Sequence, residues 1–488
     1  MNTTNPAELG GRGWAVRLLL VATVAVAGCD FLDPTNVENP RTTADDLASA
    51  ANPTASLTPG LRAQFARMTN STSVVSEVVS DNFSIHGTGL NKEWDFPREV
   101  TPSVSNTTNN STGVYWNAQE LKALASFIID DIAPGDTTAA PEDIAEAHYF
   151  RGMAYLTLGE NFTFAPIEED GAALSAAQIL DLAVADFGQA AAFGTRATAA
   201  LARAHRARGD APNAIIAADA ALAAEDDFVF LQEYDATSIE NQPHAFLVTR
   251  ALQEMQPLPR LDFLDPKFLT REAGIAVAKA EEMHLILAEA ALAANDLATA
   301  RTELRNAILL AQSRGTTTFD DQDPRLSADL SIRPRDASIE VRADATSPYR
   351  AGLVLTRPGS VPQDTISGTS LDGDSVAALA TDDELWHAFH LARQEILFLE
   401  GRRMSDLGIR LPIMLREIDG NPTITMGDPG TVALVPAHIP SGDGMDLYTP
   451  FTPYDGDDED ATLVTTEITI DVDMNRVLAD NRVSPFTP

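Results

Sequence analysis

The sequence predicts a mainly α-helical protein, built from helix pairs that carry long loop insertions and a few short β-strands. Three alanine-rich segments in the first two thirds of the chain share one helical design. The chain is 488 residues long and 44% hydrophobic, so it can bury a large core and is not disordered over its whole length. Stretches rich in Asp, Pro, Ser and Thr follow the helical segments and favour loops.

Each alanine-rich segment has a small residue five positions before a residue that favours left-handed backbone. Small residues allow two helices to approach closely, and Gly or Asn can end a helix in the left-handed conformation. This pattern is typical of tetratricopeptide-like helix–turn–helix repeats. The units begin about 50 and 86 residues apart rather than about 34, so either insertions interrupt the repeats or the segments form a generic bundle. The residue pairs are Ala154 with Gly159, Ala204 with Gly209, and Ala290 with Asn295.

The first 28 residues have the features of a bacterial lipoprotein signal peptide. Arg12 and Arg17 precede a short apolar run over 18–26, which is too short to span a bilayer as a stable helix. Small residues then lead to Cys29, the only cysteine of the chain. Cleavage before Cys29 would leave its thiol as the site of lipid attachment, including a palmitate chain. The alternatives are an ordinary signal peptide, or a buried N-terminal helix with an incidental cysteine.

The mature chain divides by composition into a tether, a helical region and a loop-rich region that we expect to pack as one module with it. Helical periodicity is predicted at 44–68, at 115–131 and in the alanine-rich segments, and it returns in a C-terminal helix at 383–410. A β-like run occupies 463–470. The predicted divisions are the signal peptide 1–28, the extended tether 29–43, the helical region with tetratricopeptide-like repeats 44–315, and the loop-rich C-terminal region 316–488.

Charge and motif content exclude several classes of function. Lys and Arg number 34 against 71 Asp and Glu, a formal charge of −37, and such a surface repels the phosphates of a nucleic acid. One cysteine leaves no internal disulfide, zinc-thiolate or iron–sulfur site. The sequence also lacks the GxSxG, GxxxxGK[ST] and GxGxxG motifs of hydrolases and nucleotide-binding proteins. None of these absences points to an enzyme class, and we predict no cofactor.

Three charged patterns have a structural interpretation. His387 and His390 are three apart on a predicted helix, but no HExxH motif accompanies them, so we expect surface or packed histidines. The acidic run 455–460 does not match an EF-hand loop; we expect a solvated loop, with an adventitious Ca²⁺ site as the alternative. Glu400, Arg403 and Asp406 could suggest paired glycosidase carboxylates. An Arg between two acids keeps both ionised, so we expect an ion-paired helix instead.

Three segments in this order resemble the SusD/RagB-like nutrient-binding outer-membrane lipoproteins. The segment Cys29–Pro34 looks like the mature start of that family. The segment Ala145–Ile167 is similar to its "AEARFLRALAYF" helix and the exit from that helix. The segment Arg393–Arg410 is similar to its C-terminal "EG.R..DL" motif. The fit departs from the family at Glu395, which stands one residue early, and at Ile409, where a second Arg is usual.

The resemblance implies a fold, a location and a partner. Family members are mainly helical, with tetratricopeptide-like pairs as the scaffold and loop insertions as the ligand face. They are anchored in the outer membrane and usually face the cell exterior. They act as a lid over a TonB-dependent β-barrel transporter of the SusC kind, and they deliver an oligosaccharide, a peptide or another nutrient to it. They are not enzymes.

Aromatic side chains in the loops are the candidates for ligand contact, because sugars stack on aromatic faces. Aromatic residues make up only 6% of the chain, and for each one packing beneath a loop is the alternative role. A second hypothesis is a tetratricopeptide-like lipoprotein scaffold for envelope assembly that binds no small ligand, and a third is a lipid-anchored glycoside hydrolase. Asp30 after the cysteine leaves inner-membrane retention or a periplasmic face open. The candidate ligand-binding residues are Trp94, Tyr115, Trp116, Phe162, Tyr349, Tyr448 and Tyr454.

Overall fold

The computed structural model of the chain is mainly helical with short strands, as the sequence predicts. It separates the chain into Met1–Ala51 and a second unit, Asn52–Pro488, and every element described below belongs to the second unit. No helix among the described residues is both long and apolar enough to cross a membrane. The structure describes residues 51–85, 92–103, 113–248, 255–258, 260–320, 340–342, 350–351, 360–440, 445–449 and 467–487.

The helices account for most of the described chain, and the strands are short segments between them. The α-helices are α1 Pro53–Val79, α2 Val114–Ser126, α3 Pro141–Asn161, α4 Ala176–Gln189, α5 Thr195–Ala207, α6 Ala211–Ala224, α7 Ala280–Ala293, α8 Leu297–Ser313, α9 Gly373–Ala378, α10 Asp382–Ile396, α11 Arg403–Asp406, α12 Leu415–Gly420 and α13 Met474–Asp480. The strands are β1 Phe83–Ile85, β2 Phe164–Pro166, β3 Ala173–Ser175, β4 Val229–Gln232, β5 Met255–Pro257, β6 Ile275–Lys279, β7 Thr316–Asp320, β8 Glu340–Arg342, β9 Arg350–Ala351, β10 Ser360–Asp364, β11 Leu447–Thr449 and β12 Glu467–Val472.

The strands pair in four two-stranded ribbons and one four-stranded sheet among the described residues. The ribbons β1–β5, β2–β3, β4–β6 and β7–β10 are antiparallel. The sheet has the order β11-β12-β8-β9, with β12 parallel to β8. The predicted β-like run at 463–470 overlaps β12 at 467–470, and its first four residues lie outside the described residues. Each ribbon joins or borders helices, so the strands serve as connectors in a helical scaffold.

Three helix pairs form that scaffold, and they coincide with the three alanine-rich segments. The helices α3 and α4, α5 and α6, and α7 and α8 pack against each other in turn. Asp210 and Asp296 cap the second helix of their pairs, since their carboxylates accept the backbone N–H of Asn213 at 3.3 Å and of Thr299 at 3.1 Å. The helix-pair prediction is therefore confirmed.

The predicted left-handed residues separate into two groups. Gly209 and Asn295 have φ of 77° and 57° and end α5 and α7, as the pattern predicts. Gly159 remains inside α3, so its predicted role as a helix end is wrong. It instead allows α3 to approach α4 closely, because a Cβ at this position would lie 2.6 Å from Leu180 Cγ.

Helix α1 lies in the core, and this explains why the predicted C-terminal boundary of the helix is wrong. The predicted helix at 44–68 ends where a polar run begins, yet α1 continues to Val79. The small polar residues of that run are buried and bond to backbone carbonyls, as when Thr72 donates to Met68 O at 2.8 Å. Phe65 of α1 meets Phe150 of α3 at 4.9 Å between ring centroids. Burial on all sides of the second half of α1 removes the amphipathic signal there.

The prediction of one helix over 383–410 is wrong, because α10 ends at Ile396. Leu399 and Gly401 have φ of 60° and 74°, which no α-helix accommodates, and α11 begins only at Arg403. The carbonyls released at the break accept hydrogen bonds from buried lysines. Lys279 donates to Ile396 O at 2.6 Å, and Lys267 donates to Phe398 O at 2.7 Å. Side-chain donors thus satisfy carbonyls that have no intrahelical partner at the end of α10 and just beyond it.

The break also aims Glu400 and Asp406 into the interior, where each joins distant elements. Glu400 Oε1 accepts from the ammonium groups of both Lys267 and Lys279, each at 2.6 Å. Asp406 accepts from Arg206 of α5 at 3.0 Å and from Arg393 of α10 at 2.9 Å. The expected ion pairing against the repeats is present. It does not run through Arg403, whose buried guanidinium has no hydrogen-bond partner among the described residues.

Glu77 beside this network gives a testable pH dependence. It is fully buried and accepts from Asn82 at 2.6 Å, and burial raises its pKa from 4.5 to about 7. Between those values the folded state holds a proton that the unfolded state has released. The free energy of unfolding should therefore fall by roughly 3 kcal/mol as the pH rises across that window, and Glu77 should add no slope above it.

Glu77→Gln should abolish that part of the pH profile. The measurement is urea unfolding of the native chain and the variant between pH 4 and pH 8, with the exposed Glu225→Gln as the control. If Glu77→Gln retains the native slope, another group causes it and the assignment of the proton to Glu77 is wrong.

Candidate ligand-binding groove

A cavity of about 510 Å³ lies beside α2, where three segments of the chain meet. Helix α2 supplies one wall, the loop between β2 and β3 supplies the second, and α12 supplies the third. A second cavity of about 440 Å³ adjoins it, since Trp116 and Glu120 line both. We call the two cavities together the Trp116 groove. The second cavity is also lined by polar residues of α1 and of 238–242, among them Gln64, Asn70 and Gln242.

Hydrogen bonds from α2 hold the β2–β3 loop in place along the groove. Gln119 donates to Pro166 O at 2.7 Å and to the hydroxyl of Tyr115 at 3.1 Å. Lys122 donates to the carbonyl of Ile167. Asn421 at the end of α12 donates to Gly171 O at 2.9 Å, which ties the third wall to the same loop. The walls are therefore fixed by contacts between segments 45 to 250 residues apart in the chain.

Trp116 is the aromatic surface of the groove. Its ring is partly exposed, and the guanidinium carbon of Arg416 lies 5.4 Å from its centroid. That distance is within the range of a cation–π interaction. The indole face thus offers both an apolar platform and a surface that accepts a cation.

The charge of the groove is predominantly negative. Six carboxylates and three cationic side chains line the two cavities, and Glu168, Glu169 and Asp170 are exposed along the β2–β3 loop. Burial lowers the pKa of Lys122. Burial, with the charge of Glu417, raises the pKa of Tyr115 well above its ordinary value, so this phenol stays protonated at physiological pH.

The structure brings only some of the candidate ligand residues to this groove. Tyr115 and Trp116 line it, with Tyr115 itself fully buried. Phe162 is also fully buried and packs edge-on to Tyr115, with 5.4 Å between ring centroids. Trp94 is buried in the core. Tyr448 has a described backbone position in β11, whereas Tyr349, Tyr454, the acidic run 455–460 and Cys29 lie outside the described residues.

Several groove residues were missed at the level of sequence. Gln119, Arg416 and the Glu168-Glu169-Asp170 run were not among the candidates. The acidic run could have been noticed, because it directly follows the Ala165-Pro166-Ile167 exit of the family-like helix. Arg416 carries no local signal, since its role depends on a ring 300 positions away.

The two histidines at 387 and 390 take structural roles. His387 bonds to Asp473 at 3.0 Å, and His390 is buried with its ring 5.7 Å from that of Trp386. Burial lowers the pKa of His390 well below its ordinary value. No group of three or more His, Cys, Asp or Glu side chains is arranged to hold a metal ion in the described part of the chain.

Comparisons with known proteins identify the fold. No family model and no curated protein matches the chain. A SusD superfamily protein from Bacteroides fragilis matches with a TM-score of 0.52 at 15% identity, over 78% of this chain and 100% of the other. A SusD/RagB family protein from Bacteroides thetaiotaomicron gives 0.49 at 12%, over 78% and 96%. A SusD-like carbohydrate binding protein from Bacteroides vulgatus gives 0.44 at 13%, over 72% and 82%. The first match confirms the SusD-type fold for this chain.

Proposed function

We propose that this SusD-type chain is an outer-membrane lipoprotein that binds a nutrient and delivers it to a TonB-dependent, SusC-like β-barrel transporter. The observation that carries the proposal is the fold it shares with a SusD superfamily protein along that protein's entire length. The signal sequence ending at Cys29 supports a lipid anchor. Acyl chains contribute about 0.8 kcal/mol per buried methylene, so two or three of them hold a protein on a membrane.

The Trp116 groove is the proposed nutrient site. It is open to solvent, rigidly walled and large enough for several sugar rings or a short peptide. A partly exposed indole between two polar cavities suits a ligand that stacks on the ring and hydrogen-bonds on either side. Nothing in this role requires catalysis, and we propose binding without turnover.

Trp116→Ala is expected to weaken binding of any ligand that occupies the groove about five- to 150-fold, because stacking on the ring contributes about 1 to 3 kcal/mol. The measurement is a glycan and peptide array with the full-length chain, followed by titration calorimetry of the hits. Ile216→Ala is the matched control, since Ile216 is 65% exposed on α6 and lines neither cavity. Equal affinity of Trp116→Ala and the native chain for every hit would place the site elsewhere.

The array also separates the proposal from its main alternative. An envelope-assembly scaffold would give no small-ligand hit. A glycoside hydrolase would degrade the glycan that it binds, which product analysis after prolonged incubation would detect. A hit that remains intact and depends on Trp116 supports the nutrient-binding role.

A further inference from the structure

The Trp116 groove is lined by six carboxylates and only three cationic side chains. The cationic groups that line it are Arg67, Lys122 and Arg416. Lys122 is committed to the Ile167 carbonyl, and Arg416 lies over the ring of Trp116. Arg67, which is exposed and contacts Gln64 Oε1 at 3.4 Å, is therefore the cation most available to an anionic group of a ligand.

The carboxylates of the groove are largely uncommitted. Glu120, Glu168, Glu169 and Asp170 form no ion pair with any described residue. Of the other two acids, Glu240 pairs with Arg271 at 3.1 Å and Glu417 accepts from Asn421 at 3.2 Å. Four exposed carboxylates around one groove repel each other, and a cationic ligand relieves that repulsion.

A buried acceptor in the second cavity points to a ligand independently of the acids. The side-chain oxygen of Gln242 is shielded from solvent and has no hydrogen-bond partner among the described residues. An unmet buried acceptor costs about 1 to 3 kcal/mol. Gln242 lines the second cavity, so a rotation of its side-chain amide would let this oxygen accept from an N–H group of a ligand seated there.

We propose that the Trp116 groove selects a basic peptide, one that carries Lys or Arg side chains, over neutral or acidic glycans; this inference rests on the proposed function. Cationic side chains meet the carboxylates of the β2–β3 loop, and peptide N–H groups meet Gln242. A guanidinium of the ligand approaches the part of the Trp116 ring that remains exposed beside Arg416. Neutral sugars can donate hydroxyl hydrogen bonds to the carboxylates but leave their negative charge uncompensated.

The overall charge favours the same class of ligand. A chain with a formal charge of −37 attracts cations over about 10 Å at 0.1 M salt, which raises the encounter rate of a basic ligand. Anionic glycans would be repelled both at a distance and at the groove. The affinity for a basic ligand should therefore weaken as the salt concentration rises.

Titration calorimetry of the full-length chain in detergent tests the proposal with two matched ligands. One is the amidated tetrapeptide Ala-Arg-Ala-Lys, and the other replaces its Arg by citrulline and its Lys by acetyl-lysine. We expect the charged peptide to bind at least tenfold more tightly at 50 mM salt. The advantage should shrink as the salt concentration rises, and it should fall in Trp116→Ala.

A matched pair of double variants tests the carboxylates. Glu168→Gln/Glu169→Gln should reduce the affinity for the charged peptide about tenfold without altering the Tm, because both side chains are exposed. Glu225→Gln/Asp226→Asn removes the same charge from an exposed loop outside the groove and should leave the affinity unchanged. Equal losses in both pairs would mean general charge attraction and would overturn the proposal.

The outcomes distinguish this inference from the proposed function. If a neutral gluco-oligosaccharide binds in a Trp116-dependent manner and the two peptides bind equally, the ligand class is wrong and the nutrient site stands. If no array ligand and neither peptide depends on Trp116, the groove is not the nutrient site, and both proposals for it fail.

Discussion

Glu400→Gln is expected to lower the free energy of unfolding by about 3 to 5 kcal/mol, the cost of leaving a buried charge unpaired. Glu400 is 3% exposed, and the side chains of Lys267 and Lys279 that it joins are 5% and 0% exposed. The variant would leave two ammonium groups facing each other without the carboxylate between them. Two of the four lysines in the chain converge on this one acid.

The pH profile identifies the cause of that loss. Burial lowers the pKa of Lys267 from 10.5 to about 8, so the native free energy of unfolding should rise between about pH 8 and pH 10.5, where the unfolded state binds more protons. In Glu400→Gln the rise should begin at a lower pH, because the stabilising carboxylate is gone. Urea unfolding from pH 6 to pH 10 measures both.

A second substitution and a surface control make the test specific. Glu400→Gln/Lys267→Met should recover part of the loss, since only one buried ammonium remains. Glu225→Gln should change the free energy of unfolding by less than about 0.5 kcal/mol. A loss below about 1 kcal/mol in Glu400→Gln would show that water or a shift of the backbone compensates the lysines.

Asp406→Asn should cost a similar amount, about 3 to 5 kcal/mol, because Asp406 joins the helix-pair scaffold to the C-terminal motif. Arg206 would keep its pair with Glu289 at 2.5 Å. Arg393 would lose its carboxylate partner, although it is buried in α10. The main consequence is therefore a buried guanidinium on α10 that has no carboxylate partner.

The effect of Asp406→Asn on the free energy of unfolding should depend on pH, and the direction follows from the pKa of Asp406. Burial acts to raise the pKa of Asp406, but Arg393 and Arg206 outweigh it and hold the pKa well below its ordinary value of 3.8. The native chain should therefore lose this stabilisation as the pH falls below about 4, and the variant should not. A double-mutant cycle with Arg393→Met isolates the pair. A coupling energy near zero in that cycle would refute the assigned role.

The helix pairs were predictable because their signal is local. Alanine at the contact positions, a capping Asp and a left-handed Gly209 or Asn295 all lie within a few residues of each turn. The strands were predicted only as few and short. Their partners come from distant segments, as when β1 pairs with β5 across about 170 residues.

The break after α10 was predictable only in part, because Gly401 is a local signal for a helix end whereas Leu399 is not. Leu399 is a helix-forming residue that adopts a positive φ of 60°. The conformation is stabilised by tertiary contacts, including Ser73 of α1, which donates to Leu399 O at 2.6 Å. The motif residues Glu400 and Asp406 could be recognised as structural, but their partners on β6, α5 and α10 could not be read from the chain.

The groove was predicted only in part for the same reason. Trp116 was a candidate because aromatic residues are scarce in this chain and it follows a polar loop. Its neighbours Arg416 and Glu168 come from α12 and the β2–β3 loop, and only the folded chain places them together. Buried aromatics such as Phe162 satisfied the same sequence criterion, because scarcity does not distinguish packing from exposure.

Affinity purification of the tagged, full-length chain from the membranes of cells that produce it naturally tests the central claim most directly. The account predicts that a TonB-dependent β-barrel transporter co-purifies with it, and that mass spectrometry finds an acylated Cys29 at the mature N-terminus. A preparation with an unmodified Cys29, or one that retains its leader and brings down no barrel, would contradict the account.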